Sequence, residues 1–142
     1  MHRIDIKAVI LAFIAEICAD LIVLRILFSI FGRGLLGPDM SEAEFLAAID
    51  TVIAKGDYQF AAFVCGMATT VLGGYLAARL AKGFPYYNGL AIGVVGVVFV
   101  LAVGGGSPFW LTVVGLLLTI PASIYGAHLA KKYRPASADK GG

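Results

Sequence analysis

Residues 58–81 read YQFAAFVCGMATTVLGGYLAARLA, a run whose one charge, Arg79, stands near its end. A helix rises about 1.5 Å per residue, so roughly 20 apolar residues cover a hydrocarbon core about 30 Å thick. The run is long and apolar enough to be a membrane span. Small residues recur along it at every fourth position: Ala62, Gly66, Thr70, Gly74 and Ala78. Lipid tails are as apolar as leucine, so membrane helices associate through close backbone approach, which small side chains permit.

Three further stretches of the same kind lie outward from it, at about Ala8 to Phe31, Tyr86 to Val103 and Phe109 to Ala130. Of the 142 residues, 60% are apolar and 14% charged, and the mean hydropathy is +0.91. A soluble domain is nearer half apolar and a quarter charged, so this composition excludes a solvated surface, and its apolar excess excludes disorder. The fold expected is all-α: one integral membrane four-helix bundle over residues 1–142 with a short extracytoplasmic amphipathic helix. The first span, interrupted by Glu16 and Asp20 and resuming to Phe31, does not read as a cleaved signal peptide.

Basic residues set an orientation. Arg3 and Lys7 precede the first span, Arg79 and Lys82 close the second, and Lys131, Lys132, Arg134 and Lys140 follow the fourth. The other side carries Arg33 and Lys55 beside Asp39, Glu42, Glu44, Asp50 and Asp57, and an uncharged Gly104–Ser107 turn. Both termini are expected in the cytoplasm, with the chain in a bacterial inner membrane. Trp110 marks the outer interface, and Phe84, Tyr86, Tyr87 and Tyr133 the inner one. Ser107-Pro108 reads as an N-cap followed by proline at the first helical position, and Pro121 as a kink in the fourth span.

The outer connection has its own local code. Ser41-Glu42-Ala43-Glu44 fits a capping box, Met40 and Phe45 stand at staple positions, and Phe45, Leu46, Ile49, Val52 and Ile53 follow at helical spacing. A helix over about 42–54 is expected, ended by Gly56. Lid, partner-docking surface and passive surface helix are all open for it.

Slid against itself by 49 residues, the chain aligns Gly66 with Gly115, Thr70 with Thr119, Gly74 with Ser123 and Ala78 with Ala127. Both copies end in A-x-L-A-K once Arg79 is set on His128. Two hairpin repeats in parallel orientation follow, with the second and fourth spans meeting at the bundle centre. The faces expected to pack are Ala62, Gly66, Thr70, Gly74 and Ala78 against Gly115, Thr119, Ser123 and Ala127, with Gly89 and Gly93 adding a GxxxG on the third span. The same surface could serve a homo-oligomer.

Glu16 and Asp20 stand four apart, on one helix face about 6 Å apart along the axis and near mid-bilayer. Such carboxylates mark ion paths, proton relays or paired contacts, and two so close share a proton readily. Arg25 lies about 140° from Asp20 and 180° from Glu16 around the helix, so it pairs poorly with either and reads as snorkelling outward or pairing with another chain. The alternative for the carboxylates is structural: hydrogen bonds to Thr, Ser or Tyr in the bundle, or to a partner's basic residue. His128 reads as an interfacial residue, and Cys18 and Cys65 as packed thiols.

Gly32-Arg33-Gly34-Leu35-Leu36-Gly37 fits the dinucleotide fingerprint, but it follows a helix and runs into Pro38, without the strand and helix the motif needs. No metal spacing, phosphate loop or catalytic triad appears, so no cofactor, no metal and no enzyme activity are expected. The basic tail is too short for a nucleic-acid patch; the partners expected are the lipid bilayer and other membrane chains or a second copy.

Gly73-Gly74-Tyr75-Leu76-Ala77-Ala78-Arg79, closing the second helix, and Asn88-Gly89-Leu90-Ala91-Ile92-Gly93, opening the third, resemble a group of small, uncharacterised bacterial four-helix membrane proteins with a Gly-Gly-x-x-Ala-x-basic motif there. The resemblance covers roughly residues 58–130, and Ala78 stands where that group often has glycine. It implies the four-helix fold and no activity, and the Glu16/Asp20 pair is not part of it. The function expected is a non-enzymatic accessory or assembly subunit of a larger membrane complex. The alternative is a small oligomeric proton- or cation-coupled transporter or channel using Glu16 and Asp20.

Overall fold

A computed structural model describes residues 4–35, 37, 39–103 and 108–133. His2, Arg3, the Gly104–Ser107 turn, Arg134 and Lys140 lie outside the described residues. The helices are α1 (Ile6–Phe31), α2 (Glu42–Ile53), α3 (Gly56–Leu80), α4 (Pro85–Val103) and α5 (Phe109–Lys132), and no strand occurs among the described residues. Three of them, α3, α4 and α5, are long and apolar enough to span a membrane, which marks the chain as a membrane protein. The 26-residue α1 is the longest, but Lys7, Glu16, Asp20 and Arg25 keep it out of that set. Large apolar side chains face outward all along the helices, including Leu117 at 69% exposure and Leu101 at 67%. Water would penalise such a surface and hydrocarbon does not.

At the centre lies α3, packed most extensively on α5, with α1 and α4 on its other sides and α4 also along α5. Alanine and glycine dominate these contacts. Ala78, Ala127 and Ala130 form one cluster between α3 and α5. A Cβ on Gly74 would collide with the Ser123 backbone, its carbonyl carbon 2.7 Å away, and one on Gly126 would meet the backbone of Val71 and Tyr75. A Cβ at Gly89 would meet Ala127, and one at Gly93 would meet Ser123 with Ile120 Cα at 3.0 Å. Ser123 is thereby fully buried where three helices meet.

The four-spaced row on α3 does not act as one face. Gly74 and Ala78 meet α5, but Ala62 and Gly66 line a groove beside α1, and nothing stands within 4 Å of a Cβ built on Gly66. The cause is helical geometry: each step of four residues turns about 40° past a full circle, so four steps carry the row about 160° round the axis. Buried Thr70 sits between the two halves, on the α1 side. On α5, Thr119 is buried against Gly96, whereas Gly115 faces only the Phe63 ring at 3.8 Å.

Side-chain donors fasten the helix ends. The Asp5 carboxylate caps α1 by accepting from the Ala8 N–H at 3.2 Å. The Asp5 N–H donates to Asn88 Oδ1 at 2.8 Å, and Asn88 Nδ2 donates to the carbonyls of Gly83 and Phe84 at 3.1 and 3.0 Å. Fully buried Asn88 thus joins the start of α1 to the α3–α4 turn, where Phe84 holds the left-handed φ of 50°. At the other end, Lys55 Nζ donates to the Phe31 carbonyl at 2.9 Å, a cation on the C-terminal pole of α1. Tyr58 is buried there between Phe28 and Phe31, in a cluster with Leu27 and Val52.

Two boundaries differ from expectation. Gly56 does not end α2: Lys55 turns extended at ψ 127° and Gly56 begins α3, because Gln59 Nε2 reaches back to the Ile53 carbonyl and supplies the stop. Pro108 takes the N-cap position, not the first helical one, and α5 starts at Phe109 and runs unbroken through Pro121.

In α2 both bonds of the capping box are present: Glu44 N–H to Ser41 Oγ at 3.4 Å and Ser41 N–H to Glu44 Oε2 at 2.8 Å. Met40 Sδ accepts from the Gly37 N–H at 3.1 Å, and Phe45 remains about half exposed. The Ser41 hydroxyl, and then its amide, hold the Glu44 carboxyl below the ordinary glutamate range. That contribution is complete above the ordinary range and is lost as pH falls through the lowered value. Ser41→Ala is expected to cost about 1 kcal/mol locally and to raise amide exchange in the first turn of α2, with α3 unaffected.

Candidate functional site

Glu16 and Asp20 both face α3. The spacing of four puts them on one side of α1, and the rows of small residues on α3 let that side approach closely. Glu16 is buried at 6% exposure. Its carboxyl group rests on Gly73: a Cβ there would overlap Oε2 and lie 2.7 Å from Cδ. The Thr70 hydroxyl is its polar neighbour, yet Oε2 itself has no hydrogen-bond partner among the described residues. An unsatisfied buried carboxylate oxygen is among the costliest features a fold can carry.

One turn on, Asp20 is half-buried. Its Oδ1 lies 2.5 Å from Thr69 Oγ1, which also stands 2.8 Å from the Gly66 carbonyl. Asp20 opens onto the groove between α1 and α3, a space of about 340 Å³ walled by Ile17, Leu24, Ala62, Gly66 and Phe99 among others. The groove is apolar apart from that carboxylate, and Glu16 does not line it.

The other candidates lie elsewhere. Arg25 is exposed and forms no ion pair among the described residues. His128 is exposed at the far end of α5, its Nδ1 3.0 Å from the Tyr86 hydroxyl, with Lys131 Nζ 5.3 Å from the centre of the Tyr86 ring. Cys18 is exposed and Cys65 half-buried, both as free thiols. No group of three His, Cys, Asp or Glu side chains could hold a metal ion among the described residues.

The residues that complete the site, Thr69 and Gly73, escape a reading by fours. Thr69 adjoins Thr70 and both face α1, whereas Gly73 and Gly74 divide their labour: Gly73 faces α1 and Gly74 faces α5. The doubled Gly73-Gly74 is the signal that a helix is being approached from two sides.

No protein-family model matches the chain, and neither a curated protein nor a solved structure matches it.

Proposed function

We propose that α1 crosses the membrane beside α3, α4 and α5 to make a four-helix bundle, and that the chain is a non-enzymatic subunit which seats another protein's transmembrane helix in the α1–α3 groove. At about 1.5 Å per residue the 26 residues of α1 reach about 39 Å, enough for the crossing. The pairs Gly74–Ser123 and Ala78–Ala127 meet in register at the repeat offset, which favours two parallel hairpins. The tie from Asn88 to Asp5 brings Lys7 to the end of the bundle that also carries Arg79 and Lys82. That clustering favours a cytoplasmic inner end, as in a bacterial inner membrane.

One observation carries the assembly reading. Gly66 offers a bare backbone in a groove whose only charge among the described residues is Asp20. A small-residue strip of this kind is what membrane helices pack on, and the Asp20 carboxylate selects a partner helix carrying a basic or hydrogen-bonding side chain at that depth.

The test is extraction in mild detergent with identification of co-migrating chains, run in parallel on Gly66→Leu. A second protein at fixed stoichiometry, lost from Gly66→Leu, is the expected result. A clean monomer or homodimer overturns the proposal, as does a partner retained by the variant. A second reading, a small proton- or cation-coupled carrier, is favoured by the unpartnered oxygen of Glu16.

A further inference from the structure

We propose that the Glu16–Asp20 face of α1, closed by Thr69, Thr70 and Gly73 of α3, is a proton-binding site that docks α1 onto α3. The site lies inside one chain and does not depend on a partner helix in the groove.

Three observations converge on it. Glu16 is more than nine-tenths buried, and its Oε2 points without a partner at the Gly73 backbone. Among the described residues no counter-charge answers it: α3 presents Thr69, Thr70 and Gly73, the α4 side of the neighbouring groove presents Phe99, and Asp20 is the one charged group that acts on Glu16. Arg25, on the same helix, is exposed to the outside.

The hydrogen count at Thr69 supplies the third observation. Its hydroxyl has one hydrogen, yet its oxygen lies within bonding distance of two acceptors, Asp20 Oδ1 and the Gly66 carbonyl. With a proton on Asp20, that carboxyl donates to Thr69 Oγ1, and Thr69 donates onward to the Gly66 carbonyl. The Thr69 hydroxyl and Asp20 Oδ1 are then both satisfied.

The fit favours a proton over a metal cation. A bound cation needs several oxygen ligands and a cavity of its own size. Glu16 Oε2 lies against Gly73 with no room for a methyl group, and the neighbouring groove is lined by one carboxylate and apolar side chains. Asp20, at the groove wall, is the point of exchange with the outside. Release of the proton leaves two like charges about one turn apart against a face that offers them no cation, and α1 loses its hold on α3.

Full-length protein in detergent micelles tests this through two readouts, across pH and across sodium and potassium concentration. One is carbodiimide modification, which requires a protonated carboxyl, mapped by peptide mass. The other is the melting temperature. Wild type is expected to be labelled on the peptide carrying Glu16 and Asp20 and to melt lower as pH is raised. Glu16→Gln, a permanent mimic of the neutral form, is expected to fold, to lose the label at residue 16 and to lose most of that pH dependence. Asp20→Asn is expected to slow labelling at Glu16.

A wild type left unlabelled at every pH overturns the site, as does a Glu16→Gln variant with wild-type pH dependence. A melting temperature that rises with sodium or potassium in wild type and not in Glu16→Gln overturns the proton assignment in favour of a metal cation. All of these results are independent of whether a partner chain co-purifies.

Discussion

Gly74→Ala is expected to part α3 from α5. The new methyl would fall onto the backbone of Ser123, with both its Cα and its carbonyl carbon at 2.7 Å, and a backbone cannot swing aside as a side-chain tip can. Over-packing of this kind costs about 1–3 kcal/mol in ordinary cores. Here the upper end applies, because Ser123 is also pinned from the α4 side by Gly89 and Gly93. Gly126→Ala is expected to behave alike, since its methyl would meet the backbone of Val71 and Tyr75. Gly66→Ala is the internal control. Nothing lies within 4 Å of its Cβ, so the exchange should be neutral or stabilise by up to about 1 kcal/mol through helix propensity. Melting temperatures of the three variants in one detergent decide the matter. If Gly74→Ala melts with Gly66→Ala, close backbone approach is not what joins α3 to α5.

The second large effect is expected at Asn88. Alanine there removes the acceptor of the Asp5 N–H and the donor to the Gly83 and Phe84 carbonyls, all in a fully buried position. Each buried group left unsatisfied costs about 1–3 kcal/mol. Phe84 adds to the loss, because a non-glycine residue at φ 50° sits about 1–2 kcal/mol above its relaxed backbone and is held by this bond. Asn88→Asp should be no milder: it keeps an acceptor for Asp5 and faces a carboxylate toward two carbonyl oxygens. Amide exchange is the discriminating measurement. Rates should rise in the first turn of α1 and at the α3–α4 turn, while α2, at the opposite end, keeps its protection. Unchanged exchange at the start of α1 would show that Val9 and Ala12 hold that end by packing alone.

What could be read from the residues divides along a physical line. Membrane character was legible because hydrocarbon imposes a composition on whole stretches, and the Ser41–Glu44 box was legible because its partners are three residues apart. The fastenings of α1 were not. Lys55 meets the Phe31 carbonyl 24 residues away and Asn88 meets Asp5 across 83, and an amino-acid pattern does not encode which carbonyl a distant donor will find. The row Ala62-Gly66-Thr70-Gly74-Ala78 misled in a different way. A spacing of four looks like one face over a short stretch and winds onto a second face over a long one. In the candidate site, Glu16 and Asp20 stood out as charges in an apolar run. The α3 groups that surround them are Thr70, already counted, and its uncounted companions Thr69 and Gly73, which only the approach of α1 brings into the site.

The way α1 is attached bears on how the protein is made. It leaves the ribosome before α3 and α4, yet the hydroxyl that Asp20 meets lies 49 residues further along the chain and the amide that receives Asp5 lies 83 residues further. Until α3 and the opening of α4 have been synthesised, its two carboxyl groups have no helix to lie against. The order of translation and the order of completion are therefore opposed: α1 is made before α3 and α4 and is finished only after them.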